Sequence, residues 1–262
     1  MTTTHTKNDQ RLLESIRSYW NTHIHDVELS VYPPGSDGFF RDLDAYRFDK
    51  LAYLEPIFTP ERFGGKRVLE VGCGIGTDLV RIARAGGSVT GVDLAETSID
   101  LAKRNFAAQG LPADLRVMNG EELEFSDDAF DVVYAHGVLQ YTASASTMVD
   151  ELHRVLRSGG ELIAMVYNRY SWLNALSTVM KVELEHEDAP VLNKYSIFEV
   201  RRLFRRFVNV RTVPDRLPVR SRIHHGWKGE VYNEVFVRAC DLLPKAVLRP
   251  VGWHIMIYAG KA

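Results

Sequence analysis

The stretch VLEVGCGIGTDLV, residues 68–80, limits the possible folds of this chain more than any other. An apolar run leads into three alternate glycines and then into helix-forming residues. That is the order of a buried strand, a tight turn and a helix laid back on a sheet. Such a junction brings backbone close to a nucleotide, and the residues around it decide which nucleotide.

Downstream of Lys66 the pattern repeats as regular strand–helix alternation, which predicts a parallel sheet covered on both faces. The strands are predicted at 67–72, 88–94, 114–120, 130–137 and 161–167, and the helices at 77–85, 96–108 and 146–157. Gly86-Gly87 and Gly159-Gly160 follow two of these helices as stop signals. Right-handed crossovers then make the sheet doubly wound, with ligands at the carboxyl ends of its strands. Upstream, residues 1–60 hold no core strand. Leu12, Leu13, Ile16, Tyr19 and Trp20 share one helical face, and YPPGSDG (32–38) reads as a turn before a second helix. The expected organisation is a helical cap over residues 1–60 and a core over 61–262. Substrate-side inserts fall at about 169–195 and 214–250. Ser196 and Glu199 form a capping box opening a helix at 197–207, VNVRTV suits a strand, and 252–260 an end strand.

The glycine turn departs from a dinucleotide site. Gly72, Gly74 and Gly76 are present, but Thr77 stands where a third spaced glycine belongs, and no G-K-[ST] follows for a P-loop. Glu70 ends the strand and would repel a phosphate while welcoming a cation. Asp93 closes the next strand, at the place where a doubly wound fold puts the carboxylate that accepts ribose hydroxyls. A ribose clamp, close backbone approach without phosphate and negative charge toward a cation together suit S-adenosylmethionine. They disfavour NAD.

Four segments in order, VLEVGCGIGTDL, GVDLAETSIDLA, NGEELEFSDDAFDVVYAHGVLQY and ELHRVLRSGGELIAMVY, resemble class I S-adenosylmethionine-dependent methyltransferases over residues 66–167. The resemblance implies an α/β, Rossmann-like, seven-stranded, mostly parallel sheet in the order 3-2-1-4-5-7-6. It also implies S-adenosyl-L-methionine as cofactor and S-adenosyl-L-homocysteine as product. Glu70, Gly72, Gly74 and Gly76 would surround the methionine part, Asp93 would take the ribose and Leu94 would pack on adenine. Asn119 replaces the usual acid at its position and would accept the adenine amino group through its amide oxygen. Gly120 and Glu121 neighbour it, and His136 would border the sulfonium. No metal is implied.

Transfer from a sulfonium needs alignment and exclusion of water more than a fixed catalytic signature. His136 and Tyr19 are the candidate catalytic residues. Tyr19, Tyr32, Tyr46 and Tyr167 are candidates for the acceptor side, with Arg220, Arg222, His224 and His225. The segment AHGVLQYT lacks the N/D-P-P-Y/F of nucleic-acid amino-methyltransferases, which leaves a small molecule as the acceptor. WNTHIHDVE and GWHIMIYAGK are similar to bacterial methyltransferases of specialised metabolism, the isoprenoid carbon type being the most suggestive. Between Lys194 and Lys228 there are ten Lys/Arg against two acids, a run suited to a diphosphate. The alternatives are O- or N-methylation of a phenolic, amino or glycosylated metabolite, and a subunit that binds the cofactor without turnover.

With a net charge of −2 the chain does not read as a nucleic-acid binder. It has no apolar run near the roughly 20 residues of a membrane span. Its two cysteines offer neither a disulfide framework nor a metal spacing. The expectation is a reduced, cytoplasmic protein with no nucleic-acid or membrane partner. A homo-oligomer through 214–250 stays open.

Overall fold

Seven strands form one sheet in the order β3-β2-β1-β4-β5-β7-β6, in a computed structural model that describes residues 7–180, 186–220 and 230–262. β1 (Arg67–Val71), β2 (Ser88–Asp93), β3 (Asp114–Val117), β4 (Phe130–His136) and β5 (Leu156–Tyr167) run parallel. β7 (His254–Gly260) enters antiparallel between β5 and β6 (Val208–Asp215). The order agrees with the one the resemblance implied. Strand residues such as Leu69, Val132, Val133, Leu162, Ile163 and Ile257 are wholly buried, as expected where helices cover both faces.

Two apolar layers sandwich the sheet. On one face Leu79 and Ile82 of α4 (Thr77–Arg84) and Ile99 and Phe106 of α5 (Glu96–Gln109) cluster with Phe48, Leu51, Leu54 and Phe63. On the other, Met148, Val149 and Leu152 of α6 (Ala145–Val155) meet Val200 and Phe204. Each such side chain contributes about 1.5–3 kcal/mol by leaving water.

The N-terminal segment is helical as predicted. It comprises α1 (Lys7–Thr22), α2 (Asp37–Lys50), a 3-10 turn (Ala52–Ile57) and α3 (Pro60–Phe63). Ser36 caps α2 by accepting from the Phe39 N–H at 3.3 Å. Phe39, Phe40 and Leu43 then pack on Ile75 and Leu101, which sets α2 against the glycine turn. Trp172–Met180 forms α7, and Ile197–Leu203 forms α8, opened by the predicted capping box.

Three boundaries differ from expectation. β3 stops at Val117, because Asn119 folds back and its Oδ1 accepts the Glu121 N–H at 3.1 Å. Gly159-Gly160 does not stop a helix but lies inside β5, which begins at Leu156 as soon as α6 ends. Gly160 is packed too closely for a side chain there, since a Cβ would lie 2.9 Å from the Asp131 carbonyl oxygen. α8 ends four residues before the predicted 207. No helix among the described residues is long and apolar enough to cross a membrane.

Candidate active site

The carboxyl ends of β1, β2, β4 and β5 open into a cavity of ≈ 220 Å³, roofed by the N-terminal helices. One end of it, where the donor is expected, is the glycine turn. Gly72, Gly74 and Gly76 all have positive φ, between 52° and 78°. A Cβ on Gly72 would lie 2.7 Å from Val138, whereas one on Gly74 would meet nothing within 4 Å. The first glycine therefore serves packing, and the second leaves the backbone open to a ligand.

Two carboxylates frame this turn. Asp93 accepts the Gly74 N–H through Oδ2 and the Ala95 N–H through Oδ1, both at 2.9 Å. Burial raises its pKa against the pull of those bonds. Glu70 accepts from the Leu79 backbone at the start of α4, and its Oε2 is buried with no hydrogen-bond partner. Burial, then the neighbouring Asp78, holds Glu70 well above the usual carboxylate range. An orphaned carboxylate oxygen on a cavity wall suits a cation.

A pH dependence follows. With its folded pKa raised, the neutral Glu70 carboxyl contributes stability that is complete below the unfolded carboxylate pKa and lost as pH rises through the folded value. A ligand ammonium favours the ionised form. S-adenosylhomocysteine binding should therefore release a proton just above the usual carboxylate range, seen by calorimetry in two buffers of unequal ionisation enthalpy, and should tighten as pH rises. Absence of proton release would contradict this account of Glu70.

Around the donor end, Leu94, Asn119, Gly120 and Glu121 also line the cavity. The Asn119 amide oxygen is engaged by Glu121 N–H, and the Glu121 carboxylate takes Thr142 Oγ1–H and the Ser144 N–H. Both bonds fall on Oε1, through which Glu121 braces the loop after β4. A Cβ on Gly120 would meet Met148 and Val71 at 2.6 and 2.7 Å.

The opposite end is rich in cationic and imidazole groups. Arg47 of α2 donates to Asp78 through Nε at 2.6 Å and Nη2 at 2.5 Å, and Tyr134 Oη–H donates to the same carboxylate at 2.8 Å. Burial opposes the Asp78 charge, but Arg47 outweighs it and keeps the carboxyl below its usual range. Arg47 Nη2 also donates to His136 Nδ1 at 3.1 Å. Lys50 pairs with Asp26 at 3.3 Å, and Arg216 Nη1 donates to His254 Nε2 at 3.0 Å. All of these except the buried Tyr134 line the cavity, with Trp20, Tyr141, Met165 and Tyr167 as its apolar and aromatic walls. Burial, then nearby arginines, pushes His136 down to about 3 and His254 well below the imidazole range. Both are neutral.

The other acceptor-side candidates are scattered. Tyr19 does not line the cavity. α1 turns Trp20 inward, while the Tyr19 hydroxyl donates to Asp188 at 2.8 Å and its ring stacks on His23. Tyr32 is half exposed and packs under Gly38. Tyr46 lies beneath the Lys50 ammonium, off the cavity wall. Tyr167 is in place, stacked on Trp253 and His254. Arg220 pairs with Glu234 at 3.3 Å, away from the cavity. Arg222, His224 and His225 fall outside the described residues. The basic run 194–228 is dispersed too. Arg206 pairs with Asp150 on the surface, and Arg216 is the one described member that reaches the cavity.

Residues 69–164 match the family model of the methyltransferase domain. The chain carries a class I S-adenosylmethionine-dependent methyltransferase domain. It is 35% identical over 162 residues to the ubiquinone biosynthesis O-methyltransferase of Maricaulis maris, which spans 62% of this chain and 61% of that protein. It is 30% identical over 156 residues to the enzyme of the same name from Brucella anthropi, spanning 56% and 62%. The chain thus spans about three fifths of the length of these curated relatives. Among solved structures, geranyl diphosphate C-methyltransferase from Streptomyces coelicolor, bound to Mg2+, geranyl diphosphate and S-adenosylhomocysteine, superimposes with a TM-score of 0.62. Its identity is 18%, and the match covers 96% of this chain and 98% of that one. Magnesium protoporphyrin IX methyltransferase from Synechocystis gives 0.60 at 16% identity, covering 94% and 98%. At such identities the likeness speaks for the fold.

Residues that the domain would use for S-adenosylmethionine fit it in kind. Glu70 presents a spare buried oxygen, Gly74 exposed backbone, and Asp93 lone pairs beyond those used by the turn.

Proposed function

We propose that the protein methylates an oxygen of a small molecule that carries negative charge there, such as a phenolate, enolate or carboxylate. S-Adenosylmethionine, when bound, supplies a methyl group already activated as a sulfonium. The chain's own residues then have to hold the acceptor, orient it and exclude water. The observation carrying this reading is the polarity of the cavity, acidic at Glu70 and Asp93 and cationic at Arg47, Lys50 and Arg216. Arg47 and Lys50 face carboxylates, but the Arg216 guanidinium donates to a neutral imidazole, a contact that leaves its charge uncancelled. An oxyanion gains most there. The O-methyltransferase names of the curated relatives agree with this class of acceptor.

A second reading is methyl transfer to an isoprenoid carbon, favoured by the match to geranyl diphosphate C-methyltransferase along nearly the whole chain. The same cations would suit a diphosphate. Against it, a carbocation formed beside Arg47 and Arg216 would be repelled. Incubation with methyl-labelled S-adenosylmethionine and a panel of phenols, carboxylic acids and prenyl diphosphates separates the two. Label in an ether or ester is expected, and label on an alkene carbon would overturn the O-methyl reading. Arg216→Ala should raise KM for the acceptor about tenfold with S-adenosylhomocysteine affinity unchanged.

A further inference from the structure

Tyr53 stands where the 3-10 turn of the N-terminal segment meets the ends of two central strands. Its hydroxyl oxygen lies 2.5 Å from His254 Nδ1 and 3.3 Å from His136 Nε2. The remaining nitrogen of each ring faces an arginine, His136 Nδ1 toward Arg47 and His254 Nε2 toward Arg216. A guanidinium has N–H donors and no acceptor. The nitrogens opposite the arginines therefore carry lone pairs, and in a neutral imidazole the hydrogen sits on the other nitrogen. Both remaining N–H groups point at one phenol oxygen, whose two lone pairs can accept them.

We infer that Tyr53 is a positioning residue that locks His136 as the Nε2–H tautomer and His254 as the Nδ1–H tautomer, so that neither ring offers a general base to the acceptor. This rests on the O-methylation reading and narrows it. It favours acceptors that ionise without help from these two rings, namely carboxylic acids and acidic phenols or enols, over alkanols and protonated amines, which would gain no base from them. The balance is simple. The acceptor loses its proton to solvent before transfer, the O–CH3 bond forms as the S–CH3 bond breaks, and the electron pair of that bond stays on sulfur as a neutral thioether.

The groups facing the pair come from every neighbouring element. They are Arg47 and Lys50 from α2, Asp78 from α4, Asp215 at the end of β6 and Arg216 just after it, and each histidine toward the other. Cations outnumber anions among them, which agrees with two imidazoles that stay neutral.

The test is a long-range proton–nitrogen NMR spectrum of the full chain, 15N-labelled at histidine and bound to S-adenosylhomocysteine. Signals are assigned by their loss in His136→Gln and His254→Gln. The expected result is one Nε2–H ring and one Nδ1–H ring, neither titrating between about pH 6 and 8. The opposite tautomer at either residue, or a midpoint inside that range, overturns the inference. In Tyr53→Phe both rings should lose their fixed tautomer while S-adenosylhomocysteine affinity is kept, and retention of both tautomers would overturn the role given to Tyr53. If that variant does not fold, the wild-type spectrum still decides. A product methylated on alkene carbon, with both tautomers as expected, would remove the O-methyl reading and leave the tautomer lock standing.

Discussion

Asp93→Ala is expected to weaken S-adenosylhomocysteine binding by about a hundredfold or more. The carboxylate does two jobs. It holds the Gly74 and Ala95 N–H groups at 2.9 Å, and it lines the cavity, where the ribose of the donor is proposed to sit. Hydrogen bonds to a charged group contribute about 1.5–3 kcal/mol each, so losing two acceptor sites costs at least about 3 kcal/mol, or some two powers of ten. Asp93→Asn should fall between parent and Ala, since the amide keeps one acceptor and turns an NH2 toward the other backbone donor. Calorimetry reads the affinity, and thermal melting of the ligand-free variant separates binding from folding. A dissociation constant within threefold of the parent would remove the ribose role and with it the main support for the donor.

Arg47→Ala should be the most destabilising single change in the N-terminal segment. It strips a buried carboxylate of its cation and leaves Asp78 with only the Tyr134 hydroxyl of the donors named above. Breaking a buried pair by removing one partner costs about 3–5 kcal/mol. At this chain length that corresponds to a melting temperature lower by about 10 °C. Replacing the pair together, Arg47→Met with Asp78→Leu, should recover much of the loss, because no uncompensated charge remains. Equal melting points for Arg47→Ala and parent would mean that the segment is held by its apolar contacts alone.

What could be read from the sequence and what could not divide along a physical line. The parallel sheet was legible because a strand buried on both faces must be apolar residue after residue, and because Gly72 and Asp93 sit at strand ends where local pattern places them. Glu70 and Asp93 stand out as candidates for the same reason. The cationic end was not legible. Arg47, Lys50, Tyr53 and Arg216 belong to no motif, and Asp78 and His254, which lie inside quoted stretches, take their place there from partners distant in the chain. Arg47 meets Asp78 31 residues away, and Tyr53 meets His136 and His254 at separations of 83 and 201. No periodicity encodes such contacts. The aromatic residues of the N-terminal segment misled for a related reason. Tyr19 and Trp20 are adjacent, and helix phase alone does not say which one the neighbouring elements leave facing the cavity. The one hint available for the missed set was His254 at the head of the last strand, a polar residue in an otherwise apolar run (HIMIYAG).

The grip of Arg47 on Asp78 also bears on attempts to redesign selectivity. A foreign lid grafted in place of residues upstream of β1 would arrive without its guanidinium, and Asp78 sits in the first turn of the helix that the glycine turn opens. Such a chimera would forfeit donor affinity along with the native acceptor. An arginine kept at that one position is the minimum inheritance for modular exchange.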